Sequence, residues 1–161
     1  PVGTHTGTIN VQDGAFYLQG TTIESGKFVI DMSSITVTDL DENSGKESLE
    51  SHLKGTVEGK EGDFFNVRKY PTATFEVTGV TDMDGKTIMS GNLTMLDTTQ
   101  NISFPVLITN QNNIVQVKSE TFTIDRTKWG INYGSKSIFD NLGDKFIADD
   151  MEITIDVTAM M

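Results

Sequence analysis

The sequence predicts an all-β protein made of antiparallel strands. β-branched residues recur at alternate positions along most of the 161 residues, and only 3 prolines interrupt them. Such alternation is typical of strands that bury one face and expose the other. Turn-forming residues at 12–14, 82–85 and 110–113 separate these segments at the spacing of hairpins. No repeat or linker divides the chain, so residues 1–161 are predicted to form one domain.

Each predicted strand carries its apolar residues on one face. The inward positions are Phe28, Ile30 and Met32, then Ala73, Phe75 and Val77, then Leu93 and Met95, then Ile102, Phe104, Val106 and Ile108, and finally Met151, Ile153, Ile155 and Val157. Polar residues, mostly Thr, Asp and Glu, occupy most of the positions between them. Because side chains alternate between the two faces of a strand, the apolar set defines the face that packs inward.

One segment changes its apolar face part of the way along. Val115 and Val117 stand at odd-numbered positions, whereas Phe122 and Ile124 stand at even-numbered positions. An extra residue in one strand of a pair moves the following side chains to the other face. The sequence therefore predicts a β-bulge near residues 119–120.

A single segment, residues 44–54, has a helical pattern. Leu49 and Leu53 stand four residues apart among charged neighbours, which places them on one helix face. Asn43 precedes the segment and is a candidate N-cap. The helix is short, so we expect a lid or plug at one end of a barrel.

Composition excludes several classes of function. The chain has 12 Lys and Arg against 23 Asp and Glu, which gives a net charge of −11. A chain this acidic is repelled by phosphate backbones, so nucleic acid is not an expected partner. With 0 cysteines there is no disulfide, thiolate metal site or cysteine nucleophile. No apolar run approaches the ~20 residues of a membrane-spanning helix, so no membrane span is expected.

Catalytic candidates are few. His5 and His52 are the 2 histidines, and neither lies in a metal-binding or nucleophile motif. The acidic residues could hold a glycosidase pair, although most surface carboxylates are simply solvated. We therefore predict a protein that is not an enzyme and uses no cofactor.

An acidic loop partly matches the spacing of a calcium-binding loop. Asp39, Asp41, Asn43 and Glu50 stand at the first, third, fifth and twelfth positions of such a loop. The sixth position holds Ser44 in place of the glycine that makes the sharp turn, and a strand, not a helix, is predicted before it. The sequence therefore predicts a solvated loop and no metal site.

Two longer blocks carry a family resemblance. SHLK at residues 51–54 with DFFNVRKYPTATF at 63–75 forms the first block, and DRTKWGINYG at 125–134 with LGDK at 142–145 forms the second. Both resemble signatures of the YceI-like family, and the strand from Leu93 to Val106, with FPV at 104–106, fits a third. This resemblance implies a lipocalin-like antiparallel barrel of about eight strands, exported to the periplasm or secreted, that holds an isoprenoid or related lipid in an elongated apolar cavity.

The chain departs from the family pattern at two places. Residues 55–62 intervene between the two parts of the first block, where the family has only a couple of residues. The family's first strand, ahead of the segment that matches residues 3–20, is absent. We therefore expect two unpaired strand edges, closed by a barrel of fewer strands, by a second copy in a homodimer, or by residues ahead of Pro1.

Taken with the resemblance, the apolar positions predict a lipid site. An isoprenoid or fatty chain offers no hydrogen bonds, so its affinity must come from buried apolar area, which the 9 Phe and 7 Met can supply. The predicted lining is Phe28, Ile30, Leu53, Phe65, Phe75, Val77, Leu93, Met95, Phe104, Val106, Phe122, Trp129, Phe139 and Leu142.

Three residues of the second block have a different expected role. We expect Asp125, Arg126 and Gly130 to brace the barrel end, and Arg126 is also a candidate for contact with a polar head group. Two alternatives to lipid binding stay open. One is an enzyme acting on a lipid or glycan, and the other is a surface interaction module whose barrel is filled by its own side chains.

Overall fold

A computed structural model describes residues 3–160 of the chain. It contains nine strands, and α1, Lys46–Lys54, lies between the second and third of them. The strands are β1 Gly7–Gln19, β2 Thr22–Val37, β3 Thr72–Met83, β4 Lys86–Met95, β5 Thr98–Gln111, β6 Ile114–Ser119, β7 Phe122–Asp125, β8 Asp150–Ile153 and β9 Asp156–Met160. The predicted all-β class is confirmed.

The strands form a nearly closed antiparallel barrel. Seven of them make one sheet in the order β1-β2-β3-β4-β5-β6-β9, and β7 pairs with β8. The sequence predicted about eight strands, and the main sheet has seven. The β7–β8 pair follows directly on the β6–β9 pair, so both belong to one interrupted wall of the barrel.

The interruption in this wall falls where the apolar face changes sides. β6 ends at Ser119 and β7 begins at Phe122. The Ser119 N–H donates to the carbonyl of Ile155 at 2.8 Å, and the Ile155 N–H donates to the Ser119 hydroxyl at 2.7 Å. These bonds join the strands across the irregular residues, as the predicted bulge near residues 119–120 requires.

One end of the barrel, the hairpin end, consists of tight turns. Two residues connect β1 to β2, β3 to β4, and β5 to β6. Asp84, Gly85, Asn112 and Asn113 all have positive φ, as the two-residue turns of hairpins require.

The turn predicted at residues 12–14 is wrong, because β1 runs through these residues. They form an irregularity in the β1–β2 register between Val11 and Asp13 instead.

The opposite end, the helix end, carries α1 and the long connection between β7 and β8. The helix begins at Lys46 after Gly45, so the residue before the helix is not Asn43. Glu50 accepts a hydrogen bond from the Val37 N–H at 2.8 Å, which ties the helix to the end of β2. Gly55 ends the helix with φ 76°, and a Cβ there would lie 2.5 Å from the Glu61 carbonyl oxygen. Within residues 3–160 no helix is long and apolar enough to cross a membrane.

The core lies inside the barrel on the predicted faces. Phe75, Val77, Leu93 and Phe104 are buried, whereas the residues between them face outward or are less buried. In β8 and β9, the residues from Met151 to Val157 alternate between half-buried and exposed in the predicted phase. The predicted inward faces are therefore confirmed.

Candidate functional site

Most of the predicted lining residues meet inside the barrel. They share one apolar cluster with the buried core, or pack against it when they are half-buried. The buried members are Phe75, Val77, Leu93, Met95, Phe104, Val106 and Trp129, and the half-buried members are Ile30, Phe65 and Phe122. Trp129, from the second sequence block, is fixed there by a hydrogen bond from its Nε1 to the Leu93 carbonyl at 2.9 Å.

Aromatic rings from three strands occupy the centre of this cluster. The ring of Phe104 stacks on that of Phe122 with centroids 4.5 Å apart, and its centroid is 5.7 Å from that of Phe75. Phe75 lies against the backbone of β4, because a Cβ at Gly91 would be 2.3 Å from its ring. The barrel centre is therefore filled by side chains in this structure.

Four predicted lining residues lie outside the central cluster. Phe28 is buried at the side of the barrel, where its ring meets that of Phe16 edge to face at 4.7 Å. Leu53 is half-buried on α1, and Leu142 is half-buried in the connection between β7 and β8. Phe139, in the same connection, is 50% exposed.

A cleft of about 580 Å³ lies between β1 and β9. The two strands are the first and last of the seven-stranded sheet, and no backbone pairing joins them in the described part of the chain. Phe16, Leu18, Phe28 and Val115 are among the apolar residues that line the cleft. Phe16 and Leu18 also pack against the core cluster, so the cleft opens onto the interior of the barrel.

Phe28 is the one predicted lining residue in this cleft, and Val157 was predicted as an inward position only. The cleft is also lined by Val157 and Ala159 of β9 and by residues 9–16 and 18 of β1. A weak signal exists in β1, where Phe16 and Leu18 alternate with polar or exposed neighbours. The register shifts of β1 interrupt that alternation, so no single apolar face runs through the strand.

A smaller cavity of about 220 Å³ lies between β5 and β7. Phe122 and Trp129 line it together with polar residues such as Asn101 and Lys128. Gln100 donates to the Lys128 carbonyl at 3.0 Å across this gap. The gap exists because the chain leaves β5 after Glu120, whose N–H donates to the Pro105 carbonyl at 3.1 Å.

The two sequence blocks meet at the helix end. His52 of the first block bonds Asp63 at 2.7 Å between Nε2 and Oδ2, which joins α1 to the segment after it. The rings of His52, Phe64 and Tyr133 contact one another edge to face, with centroids 5.0 to 5.3 Å apart. Tyr133 comes from the second block, so the blocks form one cap over the barrel.

Arg126 holds this cap together from inside. Its side chain is 2% exposed and donates to the carbonyls of Ile131, Ile147 and Ala148 at 2.8 to 3.0 Å. Burial lowers the pKa of the guanidinium, which the nearby carboxylates of Asp149 and Asp125 oppose. All three guanidinium nitrogens bind backbone carbonyls, so the side chain braces the barrel end.

The neighbouring motif residues also shape the cap. Asp125 accepts from the Thr127 N–H at 2.9 Å at the start of a short 3-10 helix, Arg126–Trp129, and Gly130 ends that helix with φ 83°. Asp149 accepts hydrogen bonds from the hydroxyls of Ser135 and Ser137, which hold the pKa of its carboxyl below the usual range.

The acidic loop before α1 uses its carboxylates for internal contacts. Asp39 bonds the ring of His5 at 2.9 Å and the N–H of Thr6 at 3.0 Å, and these bonds lower its pKa. Asp41 accepts from the Asn43 N–H, and Glu50 accepts from the Val37 N–H. Across residues 3–160, no group of three or more His, Asp or Glu side chains is placed to hold a metal ion.

Comparison with known proteins identifies a family and solved structures with a similar fold. The family model described as a YceI-like domain matches residues 2–159. A crystal structure of BcnA from Burkholderia cenocepacia is 20% identical, covers 92% of this chain and 83% of its own, and has a TM-score of 0.66. The YceI protein of Campylobacter jejuni is 17% identical, covers 100% of this chain and 87% of its own, and has a TM-score of 0.65. No curated protein matches the chain. Because the family model spans almost all of the sequence, the chain belongs to the YceI-like family.

Proposed function

We propose that this protein binds a polyisoprenoid or other long-chain lipid inside its apolar barrel and serves as a carrier or store. The proposal includes no catalytic step. It places the protein outside the cytoplasm, in the periplasm or secreted, as the family resemblance implies. The fourteen lining residues predicted from the sequence remain the proposed contacts of the lipid.

The observation that carries the proposal is the link between the cleft and the core. Phe16 and Leu18 line the cleft between β1 and β9 and also pack against the central cluster. A cavity of about 580 Å³ lies within the ~300–1,000 Å³ range of small-molecule sites. A lipid tail entering there would meet apolar side chains from the barrel wall to the centre.

The interior must rearrange to accept a lipid, and its composition favours this. Met32, Met89 and Met95 are buried in the core cluster. Methionine has three rotatable bonds and adapts to irregular shapes, so such a core can repack around a guest. At ~25 cal/mol per Å², burying about 400 Å² of lipid surface contributes roughly 10 kcal/mol before the costs of binding.

Two measurements test the proposal directly. Solvent extraction of the native protein followed by mass spectrometry is expected to release a long-chain lipid in stoichiometric amount, since a tail buried in a barrel leaves slowly. Titration with a C20 prenyl alcohol is expected to change the fluorescence of Trp129, the 1 tryptophan of the chain. A clean extract with no response to the prenyl alcohol would refute lipid binding.

A pair of variants on β5 separates the interior from the surface. Phe104 is 1% exposed and Leu107 is 66% exposed. Phe104→Asp puts a carboxylate into an apolar site, where its charged form is strongly disfavoured, so uptake of the prenyl alcohol is expected to fall at least tenfold. Leu107→Asp is the matched control and is expected to bind like the parent. Circular dichroism shows whether each variant is folded.

An interaction module with a filled barrel is the second candidate. The stacked rings of Phe104 and Phe122 at the barrel centre favour it, because they occupy the space that a lipid would need. This function predicts no lipid in the extract and unchanged Trp129 fluorescence. The titration described above therefore separates the two candidates.

A further inference from the structure

The connection between β7 and β8 exposes several large apolar side chains at the helix end. Tyr133, Ile138, Phe139 and Ile147 are each 37% to 51% exposed. Single exposed apolar residues are common on protein surfaces, whereas a group of them in one short segment marks an interaction site. Residues 133–147, called the apolar loop below, are therefore a candidate contact surface.

Hydrogen bonds hold the apolar loop in its fold. The Ser135 hydroxyl donates to Asp149, and the Phe139 N–H donates to the Ser135 carbonyl at 2.9 Å. The Ile147 N–H donates to the Gly134 carbonyl at 2.8 Å, and the Ile147 side chain lies against Gly134. The exposed side chains therefore cannot turn inward without the loss of these bonds, each of which stabilises the loop.

The apolar loop has no net charge. Lys136 and Lys145 balance Asp140 and Asp144, whereas the whole chain has a net charge of −11. An anionic surface repels the chain as a whole, and a neutral loop offers no charge to overcome that repulsion. The charges therefore favour a partner surface that is itself neutral and is contacted through apolar side chains.

The exposed area of the loop distinguishes between kinds of partner. Its four large apolar side chains expose on the order of 400 Å² together, because such side chains have about 150–250 Å² each and somewhat under half is accessible. A stable protein–protein interface needs about 800 Å² from each partner. The loop is thus too small for a stable dimer. It is large enough to enter the interfacial region of a lipid bilayer, where Tyr and Phe are favoured.

We propose that the apolar loop docks the protein on a bilayer of zwitterionic phospholipid, a surface without net charge. Ile138 and Phe139 enter the boundary between head groups and acyl chains, and Tyr133 lies at the level of the head groups. Docking of this kind serves the proposed function and rests on it, because a lipid carrier must reach the bilayer that contains its lipid. Phe139, one of the proposed lipid contacts, meets the lipid there.

Flotation with vesicles tests the docking. Vesicles of phosphatidylcholine without prenyl lipid are expected to carry the protein upward in a density gradient. Ile138→Ser combined with Phe139→Ser is expected to lower the floated fraction at least tenfold. Leu107→Ser, at a 66% exposed position of β5, is the matched control and is expected to float like the parent. Circular dichroism checks that each variant is folded. A parent that does not float, or equal flotation of the double variant and the parent, would contradict docking.

Fluorescence quenching identifies the face that meets the bilayer. Trp129 is 2% exposed, so the parent gives the background and a tryptophan placed on the surface adds a separate signal. In vesicles with brominated acyl chains, Phe139→Trp is expected to lose at least half of its added fluorescence, whereas Leu107→Trp is expected to change little. Equal quenching of the two variants would mean that the loop does not direct the docking.

Two further outcomes would assign the loop to another partner. A dimer that forms without vesicles and is abolished by the double variant would assign the loop to a second copy of the chain. Binding only to vesicles that contain phosphatidylglycerol would show attraction by charge. Either result overturns the proposal. Because the vesicles contain no prenyl lipid, failure of docking is distinct from failure of lipid binding, which the solvent extraction measures.

Discussion

Gly14 sets the distance between β1 and the ring of Phe28. The two residues are paired across β1 and β2, and a Cβ at Gly14 would lie 2.2 Å from Cδ1 of that ring. Two nonbonded carbon atoms cannot lie this close together, so either the ring or the strand would have to move. The missing side chain at Gly14 therefore allows the Phe28 ring to pack against β1, where it lines the cleft between β1 and β9.

A double-mutant cycle measures this contact. We expect Gly14→Ala to lower the free energy of unfolding by about 1–3 kcal/mol, the usual cost of overpacking. The same change in a Phe28→Ala background is expected to cost much less, because the ring that it displaces is gone. Urea unfolding of the four proteins gives the coupling.

A second glycine is the matched control for that cycle. Gly79 lies in β3, and a Cβ there would meet no atom within 4 Å. Gly79→Ala is therefore expected to be tolerated. If Gly14→Ala were as harmless as Gly79→Ala, the close packing of the Phe28 ring on β1 would be wrong.

Asp149 makes part of the stability of the cap dependent on pH. Hydrogen bonds from Ser135 and Ser137 lower the pKa of this carboxyl in the folded protein. A group with a lowered pKa contributes its full stabilisation above its pKa in the unfolded chain, about 3.9 for aspartate, and loses it as the pH falls through the folded value. Acid therefore removes this contribution.

The pH effect can be measured with one exposed hydroxyl. Ser137→Ala is expected to lower the stability by a constant amount above about pH 5, and this deficit is expected to shrink as the pH falls below about 4. Urea unfolding over a pH series tests it. Asp149→Asn is the control, since in that background the Ser137→Ala deficit should not vary with pH. A deficit that grows toward acid would reverse the assigned sign.

At the scale of elements, the acidic loop before α1 is a structural connection. Its carboxylates, Asp39 and Asp41, accept hydrogen bonds from His5, Thr6 and Asn43, and Glu50 of α1 accepts one from Val37. We expect millimolar Ca²⁺ to leave the melting temperature within about 1 °C of its value in chelator, because a ligand that does not bind the folded state does not stabilise it. Thermal unfolding monitored by circular dichroism tests this. A rise of several degrees that Asp41→Ala abolished would instead identify a calcium site.

Sequence patterns predict elements best where one periodicity runs without interruption. The inward faces of β4 and β5 follow strict alternation from Met89 to Met95 and from Ile102 to Ile108, and Phe104 is buried as that alternation predicts. In β1 the Asp13-Gly14 pair indicated a turn, but the strand absorbs it as an irregularity of register. The residues Asp13 and Gly14 indicate only that the backbone is irregular at this point. Whether the irregularity is a turn or a bulge depends on the pairing of β1 with β2, which continues on both sides of it.

Closure of the barrel is a property of the whole molecule that alternation alone does not reveal. Residues of the cleft, such as Val115 and Ala159, were missed because an inward position looks the same in the sequence whether it faces packed core or an open edge. The second sequence block, by contrast, predicted the bracing role of Arg126, since a buried arginine must find acceptors and the cap supplies three carbonyls.

The open side of the barrel also predicts the distribution of local stability. Among residues 3–160, strands β3, β4 and β5 have partners on both sides, whereas β1 and β9 have one partner each. Amide exchange in the unliganded protein is therefore expected to be fastest in β1 and β9 and slowest in β4, since edge strands open at the lowest free energy. Exchange mass spectrometry with peptide coverage of all nine strands tests this. Uniform protection across the sheet would mean that the barrel is closed in solution.

The three tight turns at the hairpin end make the molecule usable as a display scaffold. Each turn has only two residues, and all three lie at the pole opposite the cap that Arg126 braces. Longer loops grafted at residues 20–21, 84–85 and 112–113 would stand side by side on one face, and the cost of lengthening a surface loop rises only slowly with its length. Randomising the sequences of these loops would give a new binding surface. Variants could then be selected for binding without any change to the aromatic residues at the centre of the barrel.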